Sequence, residues 1–404
     1  MLIENKSSCY SVIKPLKREL CVAYKTLGII KKKHMAEEII IDKKLEELQE
    51  LEELQENSDD SNENPPNDIV AYNELRSCAD LLRMYQEKQL EIQPDFQRDV
   101  VWNKSMQTRL IDSLVKQLPI PSLCISLDYK TQERFVIDGL QRIATIINFL
   151  DTEKDAEWQL ARLDDIDERI SGKSNLTIKK KYPEIFSKIQ NTVLPITVLR
   201  CDYSKKSHMN YLFTIFHRLN TGGSKLTNQE IRNCIYNGTL NDYLKTSVNL
   251  ENFKLIFDIK DSKVYRFSNE ELILRFISLY SKHENYNGRL AKFLNKFMED
   301  NKNADTTTIN DFINITERTL NLLYQKILND SVMPRLSKAT TEAVLVGIAK
   351  NIDSLESKSN EEAFKLYMEV RNDDLFSVEN LKEGLAQKDK VITRLNKAIE
   401  ILSK

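Results

Sequence analysis

Hydrophobic positions follow two different periods along this chain, and the change between them separates its zones. Between Ile69 and about Cys234, short apolar runs typical of buried strands alternate with stripes that recur every three or four residues. Beyond Thr221 nearly every apolar stripe has the helical spacing. The pattern predicts an α+β fold with an arm, acidic helix and linker at 1–68, an α/β core domain at 69–235, and an all-helical C-terminal bundle at 236–404.

The α/β zone contains the elements that we expect to position a site. Its apolar runs predict strands over 90–92, 124–127, 135–137 and 194–199. Helical spacing predicts helices over 73–86, after a cap at Ser105, and over 210–219. Capping-box patterns at Thr227 and Ser268 mark helix starts in the C-terminal zone. Further helices are expected near 269–281, 288–299, 308–327, 338–355, 360–371 and 380–403.

The first zone is polar and acidic. In residues 42–56, Leu45, Leu48, Leu51 and Leu54 recur every three positions among glutamates. This spacing drifts off both the 3.5 and the 3.6 period, so it predicts a solvated helix instead of a lasting coiled coil. Ser, Asp, Asn and two prolines over 57–68 predict a flexible linker. Residues 1–34, before Met35, are expected to form an extension.

Composition excludes several classes of protein. The sequence has 404 residues, with 59 Lys and Arg against 61 Asp and Glu, which gives a net charge of -2. This balance predicts no overall positive field that would attract nucleic acid, but it is compatible with a local basic groove. No apolar run approaches the roughly 20 residues that span a bilayer, and the start has no signal-like apolar core. We therefore predict a cytoplasmic chain without a membrane partner. The six cysteines include no C-x-x-C pair and the four histidines are dispersed, which predicts no metal site and no disulfide framework.

The most informative stretch is a strand followed at once by a polar turn and a helix. The apolar run 135–137 leads into Asp138, Gly139, Leu140, Gln141 and Arg142, and a helical stripe follows. Such a turn aims unpaired backbone N–H groups and the positive end of the helix dipole at one point. Gly139 would let a ligand approach the backbone, Arg142 could hold two phosphate oxygens, and Asp138 suits a metal, a ribose hydroxyl or a water. The alternative is a polar corner in which Arg142 and Asp138 form a structural ion pair.

Two further motifs flank this turn in the chain. The first runs from Ile92 to Trp102 and contains Gln97 and Arg98; the second runs from Phe216 to Asn233 and contains Arg218 and Asn220. Together with the turn, they resemble the N-terminal domain family of GmrSD-type restriction systems, in the ParB/sulfiredoxin-like superfamily, which is marked by a DGQQR box. The resemblance extends from about Ile69 to Arg275.

The resemblance implies a ParB-like α/β core that binds, and in many members hydrolyses, a nucleoside triphosphate, with Mg²⁺ as a possible companion. By position in the motifs, the residues implied to be catalytic are Asp138, Gln141 and Arg142. Those implied to bind the nucleotide are Gln97, Arg98, Gly139, Arg142, Arg218 and Asn220. Leu140 replaces a glutamine of the box, and we expect this change to impair hydrolysis more than binding.

Structural alternatives exist for the arginines outside the box. Gln97 and Arg98 could fix a loop through backbone carbonyls, and Arg218 could form a salt bridge with Glu230. Two separate Gln-Arg pairs, at 97–98 and 141–142, nevertheless suit one polyanion site better, because buried arginines rarely lack an anionic partner.

Three classes of function stay open. We favour an NTP-binding ParB-like module, an NTPase if it turns over, in an anti-phage restriction-type system. No histidine follows His283, so the resemblance implies a stand-alone form without the HNH nuclease domain, acting with DNA and a separate nuclease or effector protein. The second class is a DNA-binding regulatory or adaptor protein without turnover. The third is a nuclease that uses the ParB-like core itself.

Overall fold

A mixed five-stranded sheet organises the first half of the protein. The computed structural model describes residues 43–48, 51, 66–92, 102–153, 157–219, 227–260, 267–382 and 384–404. The strands are β1 (Val70–Ser77), β2 (Leu90–Glu91), β3 (Leu123–Asp128), β4 (Arg134–Asp138) and β5 (Val193–Cys201). They lie in the order β1-β5-β3-β4-β2. The pairs β1–β5 and β3–β4 are antiparallel, whereas β3–β5 and β2–β4 are parallel.

The first strand corrects the helix predicted over 73–86. Residues 70–77 pair with β5 from Arg200 to Val193, and only Cys78–Gln86 are helical. Ser77 ends the strand and caps the helix, because its side chain accepts a hydrogen bond from the N–H of Asp80. Pairing with a strand far along the chain therefore overrides the local helical pattern.

Helices on one face of the sheet enclose the first hydrophobic core. They are α1 (Cys78–Gln86), α2 (Lys104–Val115), α3 (Leu140–Leu150), α4 (Asn175–Lys181) and α5 (Pro183–Asn191). Their apolar residues pack with Ile125, Val136 and Ile196 of the central strands. Asn103, and not the predicted Ser105, caps α2 by accepting from the N–H of Met106.

The opposite face of the sheet packs in a second hydrophobic core, which continues through the C-terminal half. Cys124, Ile137 and Leu199 pack with α6 (Lys206–Leu219), and the cluster extends across the following helices. These are α7 (Asn228–Ile235), α8 (Thr239–Ser247), α9 (Glu251–Ile256), α10 (Ser268–Lys282), α11 (Leu290–Asp300), α12 (Thr306–Asn321), α13 (Lys338–Lys350), α14 (Ile352–Ser357), α15 (Asn360–Asn372) and α17 (Lys388–Ser403). Helix α16 (Val378–Lys382) instead packs in a small third cluster that contains Leu381. The prediction of a mixed α/β core followed by a helical C-terminal region is confirmed.

Several predicted helix boundaries are wrong in detail. The capping box at Thr227 is confirmed with both of its hydrogen bonds, but α10 follows Phe267 in a left-handed conformation without a side-chain cap. The helix predicted over 338–355 is interrupted at Asn351, whose side-chain amide donates to the carbonyls of Gly347 and Ile399. The stretch predicted over 308–327 ends in a π-helical segment from Leu322. The last predicted helix is divided into α16 and α17.

The spacing of leucines near the start predicted a solvated helix, but one side of this helix is buried. Residues 43–48 are helical, and Leu45 and Leu48 are buried against Leu381 and Leu385. Ion pairs between Lys44 and Glu379 and between Lys382 and Glu47 flank this contact. The predicted extension and most of the predicted linker lie outside the described residues. Within the part of the chain that the structure describes, no helix is long and apolar enough to cross a membrane.

Candidate functional site

The polar turn predicted from the sequence lies between β4 and α3, next to the centre of the sheet. Asp138 is the last residue of β4, and the N–H of Ile143 bonds to the carbonyl of Gly139 at 2.9 Å to begin α3. Gly139 has a φ of 91°, in the left-handed region. A Cβ at this position would lie 2.3 Å from Cδ2 of Leu123 and 3.1 Å from Nη2 of Arg142. Only glycine fits this turn without displacing its neighbours.

The N-terminus of α3 presents free backbone donors. Leu140, Gln141 and Arg142 are its first three residues, and Gly139 provides no side-chain cap. Across the described ranges, no hydrogen bond uses the N–H groups of these three residues. Three such donors at the positive end of a helix dipole form a favourable site for an anion.

Arg142 is already engaged in the structure. Its Nη2 lies 2.8 Å from Oδ2 of Asp138, and its Nη1 donates to the carbonyls of Pro121 and Ser122. The side chain is only 13% exposed. The ion pair that was the alternative interpretation of the sequence is therefore present, and Arg142 ties the turn to the segment before β3. Direct contact of Arg142 with phosphate stays a prediction.

Gln141 has an unusual environment. Its Oε1 is buried and has no hydrogen-bond partner among the described residues, while its backbone carbonyl accepts from Oγ1 of Thr145 at 2.7 Å. A buried acceptor without a donor costs about 1–3 kcal/mol. Gln141 is therefore suited to accept a hydrogen bond from a water or from a hydroxyl of a ligand.

Asp138 retains one carboxylate oxygen for further chemistry. Oδ2 binds Arg142, whereas no hydrogen bond to Oδ1 occurs within the described segments, and 35% of the side chain is exposed. Cys124 lies opposite Asp138 in the sheet. Burial, together with the Asp138 carboxylate, raises the pKa of the Cys124 thiol to about 12. Cys124 therefore stays protonated, and Asp138 is the ionisable group that the turn offers to a ligand.

The other predicted site residues lie on or near α6, or outside the described ranges. Helix α6 packs against β4, with Phe213 and Phe216 in the same core cluster as Ile137. Arg218 is exposed near the C-terminal end of α6. Its predicted alternative partner, Glu230, accepts from the N–H of Thr227 in the capping box of α7. Gln97, Arg98 and Asn220 are outside the residues that the structure describes, so their predicted roles stay predictions.

Sequence reasoning missed a buried ion cluster behind α7. Glu271 lies at its centre: Oε2 is 3.4 Å from Nη1 of Arg232, and Oε1 is 2.9 Å from Nη2 of Arg275 and 3.3 Å from Nζ of Lys338. Burial raises the pKa of Glu271, but the three cations outweigh burial and hold its pKa below the ordinary value. Glu342 lies 3.6 Å from Nη1 of Arg275. The Glu271–Arg275 spacing was visible in the sequence, but nothing local indicated burial.

The fold and the turn define a mixed α/β domain in which strand β4, next to the centre of the sheet, leads into a helix without a side-chain cap. A comparison with protein families gives this class its name. Residues 78–237 match the model of the GmrSD restriction endonuclease N-terminal domain. This part of the chain belongs to the GmrSD N-terminal domain family, as its three motifs predicted. No curated protein and no solved structure matches the chain.

Proposed function

We propose that this protein is a nucleoside-triphosphate-binding module of a restriction-type defence system, and that it binds phosphate at the β4–α3 turn. The observation that carries the proposal is the uncapped N-terminus of α3 directly after a left-handed glycine. A family domain from a restriction endonuclease provides the context. DNA and a separate nuclease or effector are the partners that this context favours.

The residues at the turn fit a triphosphate with Mg²⁺. The backbone N–H groups of residues 140–142 would receive phosphate oxygens, and Gly139 leaves space for close approach. Among the described residues, no three His, Cys, Asp or Glu side chains converge as a metal site. Mg²⁺ commonly needs only one or two carboxylates plus substrate phosphates, and Oδ1 of Asp138 is suited to that role.

Hydrolysis would depend on Gln141. Transfer of a phosphoryl group to water requires a positioned water molecule and stabilised charge. The unpaired Oε1 of Gln141 is an acceptor that could orient such a water. Leu140 packs against both hydrophobic cores, so it offers no second amide at the turn. Nucleotide binding with slow turnover is the activity that this set of side chains favours.

The test is a thermal-shift and calorimetry panel of nucleoside triphosphates with and without Mg²⁺. A ligand at 100 times its Kd stabilises the protein by about 2.7 kcal/mol. Asp138→Asn should preserve shape and abolish the Mg²⁺-dependent part of the affinity. Asp80→Asn is the matched control, because Asp80 is another arginine-paired carboxylate on α1. Equal Mg²⁺ dependence in both variants would contradict the role of Asp138.

The same protein sample separates the other two classes of function. An adaptor would bind duplex DNA with a steep salt dependence and show no nucleotide-dependent shift. A nuclease would cut DNA with Mg²⁺ or Mn²⁺, and Asp138→Ala would abolish the cutting. We expect nucleotide-dependent stabilisation and no useful cutting by the chain alone.

A further inference from the structure

A polar cleft lies between α6 and α11, and no residue of the β4–α3 turn lines it. It has a volume of about 290 Å³. Three lysines, four asparagines and two phenylalanines dominate its lining. These residues are Lys206, Lys292, Lys296, Asn210, Asn285, Asn287, Asn295, Phe213 and Phe293, together with Thr214 and Glu299. Neither the family match nor the proposed function assigns a role to this cleft.

The orientation of a buried asparagine in the lining is fixed from behind. Asn295 is only 5% exposed, and its Oδ1 accepts from Nε of Arg232 at 2.8 Å. Because only the oxygen of an amide can accept this bond, the NH₂ group of Asn295 is turned away from Arg232. Asn295 therefore presents donors to the cleft.

An arginine of the ion cluster behind the cleft has an unused donor. Arg232 is fully buried, and its Nη2 has no hydrogen-bond partner in the part of the chain that the structure describes. A buried donor without an acceptor is costly, so Arg232 favours an acceptor or an anion close to its guanidinium group.

Charged side chains form the rim of the cleft. Nζ of Lys206 lies 2.8 Å from Asp300 and 3.5 Å from Glu299, and Nζ of Lys296 lies 3.4 Å from Asp300. These carboxylates hold two of the lysines in place. Lys292 is the third lysine of the lining, and the rim has two carboxylates, Glu299 and Asp300. The ammonium groups of these lysines are the donors that a phosphate group would meet at the rim.

The phenylalanines and asparagines of the lining are the types of side chain that bind a nucleobase. Aromatic rings provide faces on which a base can stack, and asparagine amides offer both donors and acceptors to its edges. We infer that the cleft binds a mononucleotide, with its phosphate toward the lysines and Asn295 and its base toward Phe293. Helix α6 contributes Asn210, Phe213 and Thr214 to this site. The inference does not depend on nucleotide binding at the β4–α3 turn.

Calorimetry with AMP, adenosine and inorganic phosphate tests the inference on the full chain. AMP should bind more tightly than either of its parts. Hydrogen exchange with AMP should show protection in residues 206–214 and 290–299, and not in residues 139–143. The pattern of protection therefore shows which of the two proposed sites binds AMP, so the failure of one proposal can be distinguished from the failure of the other.

Two variants and one control complete the experiment. Asn295→Asp keeps an acceptor for Arg232 but replaces the donors with a charge, and Lys296→Glu reverses a charge at the rim. Each should weaken AMP binding about tenfold or more. Lys397→Glu makes the same charge change on α17, where Lys397, like Lys296, pairs with a carboxylate on its own helix, and it should leave affinity unchanged. Phosphate binding as tight as AMP, protection confined to 139–143, or equal effects of the two lysine variants would overturn the inference.

Discussion

Replacing Gly139 with alanine is the sharpest perturbation of the candidate site. The new methyl group would meet Cδ2 of Leu123 at 2.3 Å, and Leu123 is completely buried. The backbone would also have to keep a φ of 91°, which L-residues rarely adopt. Gly139→Ala should therefore damage both the stability of the fold and the geometry of the backbone donors at α3.

The magnitude has two parts. A left-handed conformation costs a residue with a Cβ about 1–2 kcal/mol. Overpacking against a buried leucine adds roughly 1–3 kcal/mol. The total loss in the free energy of unfolding should be about 2–5 kcal/mol.

Gly172 is a matched control. Its φ is 65°, but a Cβ there would have its nearest contact at 3.3 Å, with Cβ of Arg162. Gly172→Ala should therefore cost only the conformational part, about 1–2 kcal/mol. Leu123→Val removes the Cδ2 atom that the methyl group introduced by Gly139→Ala would strike, so the double variant should recover part of the overpacking loss.

Urea unfolding and nucleotide-dependent thermal shifts are the measurements. Gly139→Ala should lower the unfolding midpoint more than Gly172→Ala and reduce the stabilisation by ATP. If the two glycine variants are equally stable, or if Leu123→Val gives no recovery, the close approach at this turn does not constrain the chain and the argument for a shaped anion site is wrong.

Three further predictions concern the turn and the ion cluster. Arg142→Ala removes a charge-assisted hydrogen bond to Asp138 and the donors to two carbonyls, so the free energy of unfolding in urea should fall by roughly 1.5–3 kcal/mol. Arg142→Lys should recover part of this loss, and an unchanged stability would show that Arg142 does not hold the turn to the segment before β3. Leu140→Gln should keep nucleotide affinity within about threefold and raise phosphate release at saturating nucleotide; equal or lower release would mean that the leucine is no handicap. The pKa of Glu271 is held below its ordinary value of 4.5, so its stabilisation is complete above that pH and is lost as the pH falls toward the lower folded pKa. Glu271→Gln should therefore be destabilised at pH 7 yet show a shallower loss in acid, and parallel pH curves would refute the assignment.

The candidate turn could be predicted because its signals are local. An apolar run, a glycine and a helical stripe lie next to one another, and each restricts the backbone independently. The same holds for the capping box at Thr227, where the two bonding residues are three positions apart. The ion pair of Arg142 with Asp138 was visible for this reason, as an i,i+4 pair.

The features that escaped prediction depend on residues far apart in the sequence. β1 is a strand because β5 provides its hydrogen bonds, and no local pattern contains that partner. The carbonyls of Pro121 and Ser122 that bind Arg142 belong to the segment before β3. Leu48 is buried only because residues near the opposite end of the chain cover it. Periodicity describes which face of an element is apolar, but not what packs against that face.

The complete burial of α7 has a practical consequence for dividing this protein. All eight residues of Asn228–Ile235 are buried, and the family match ends two residues later, at 237. The match also begins at residue 78, directly after β1, although β1 completes one edge of the sheet. A fragment cut at those limits would leave one edge of β5 unpaired and would expose the buried residues of α7 to water. Recombinant fragments should therefore retain β1 and the helices that cover α7, because sequence similarity and physical independence end at different residues in this chain.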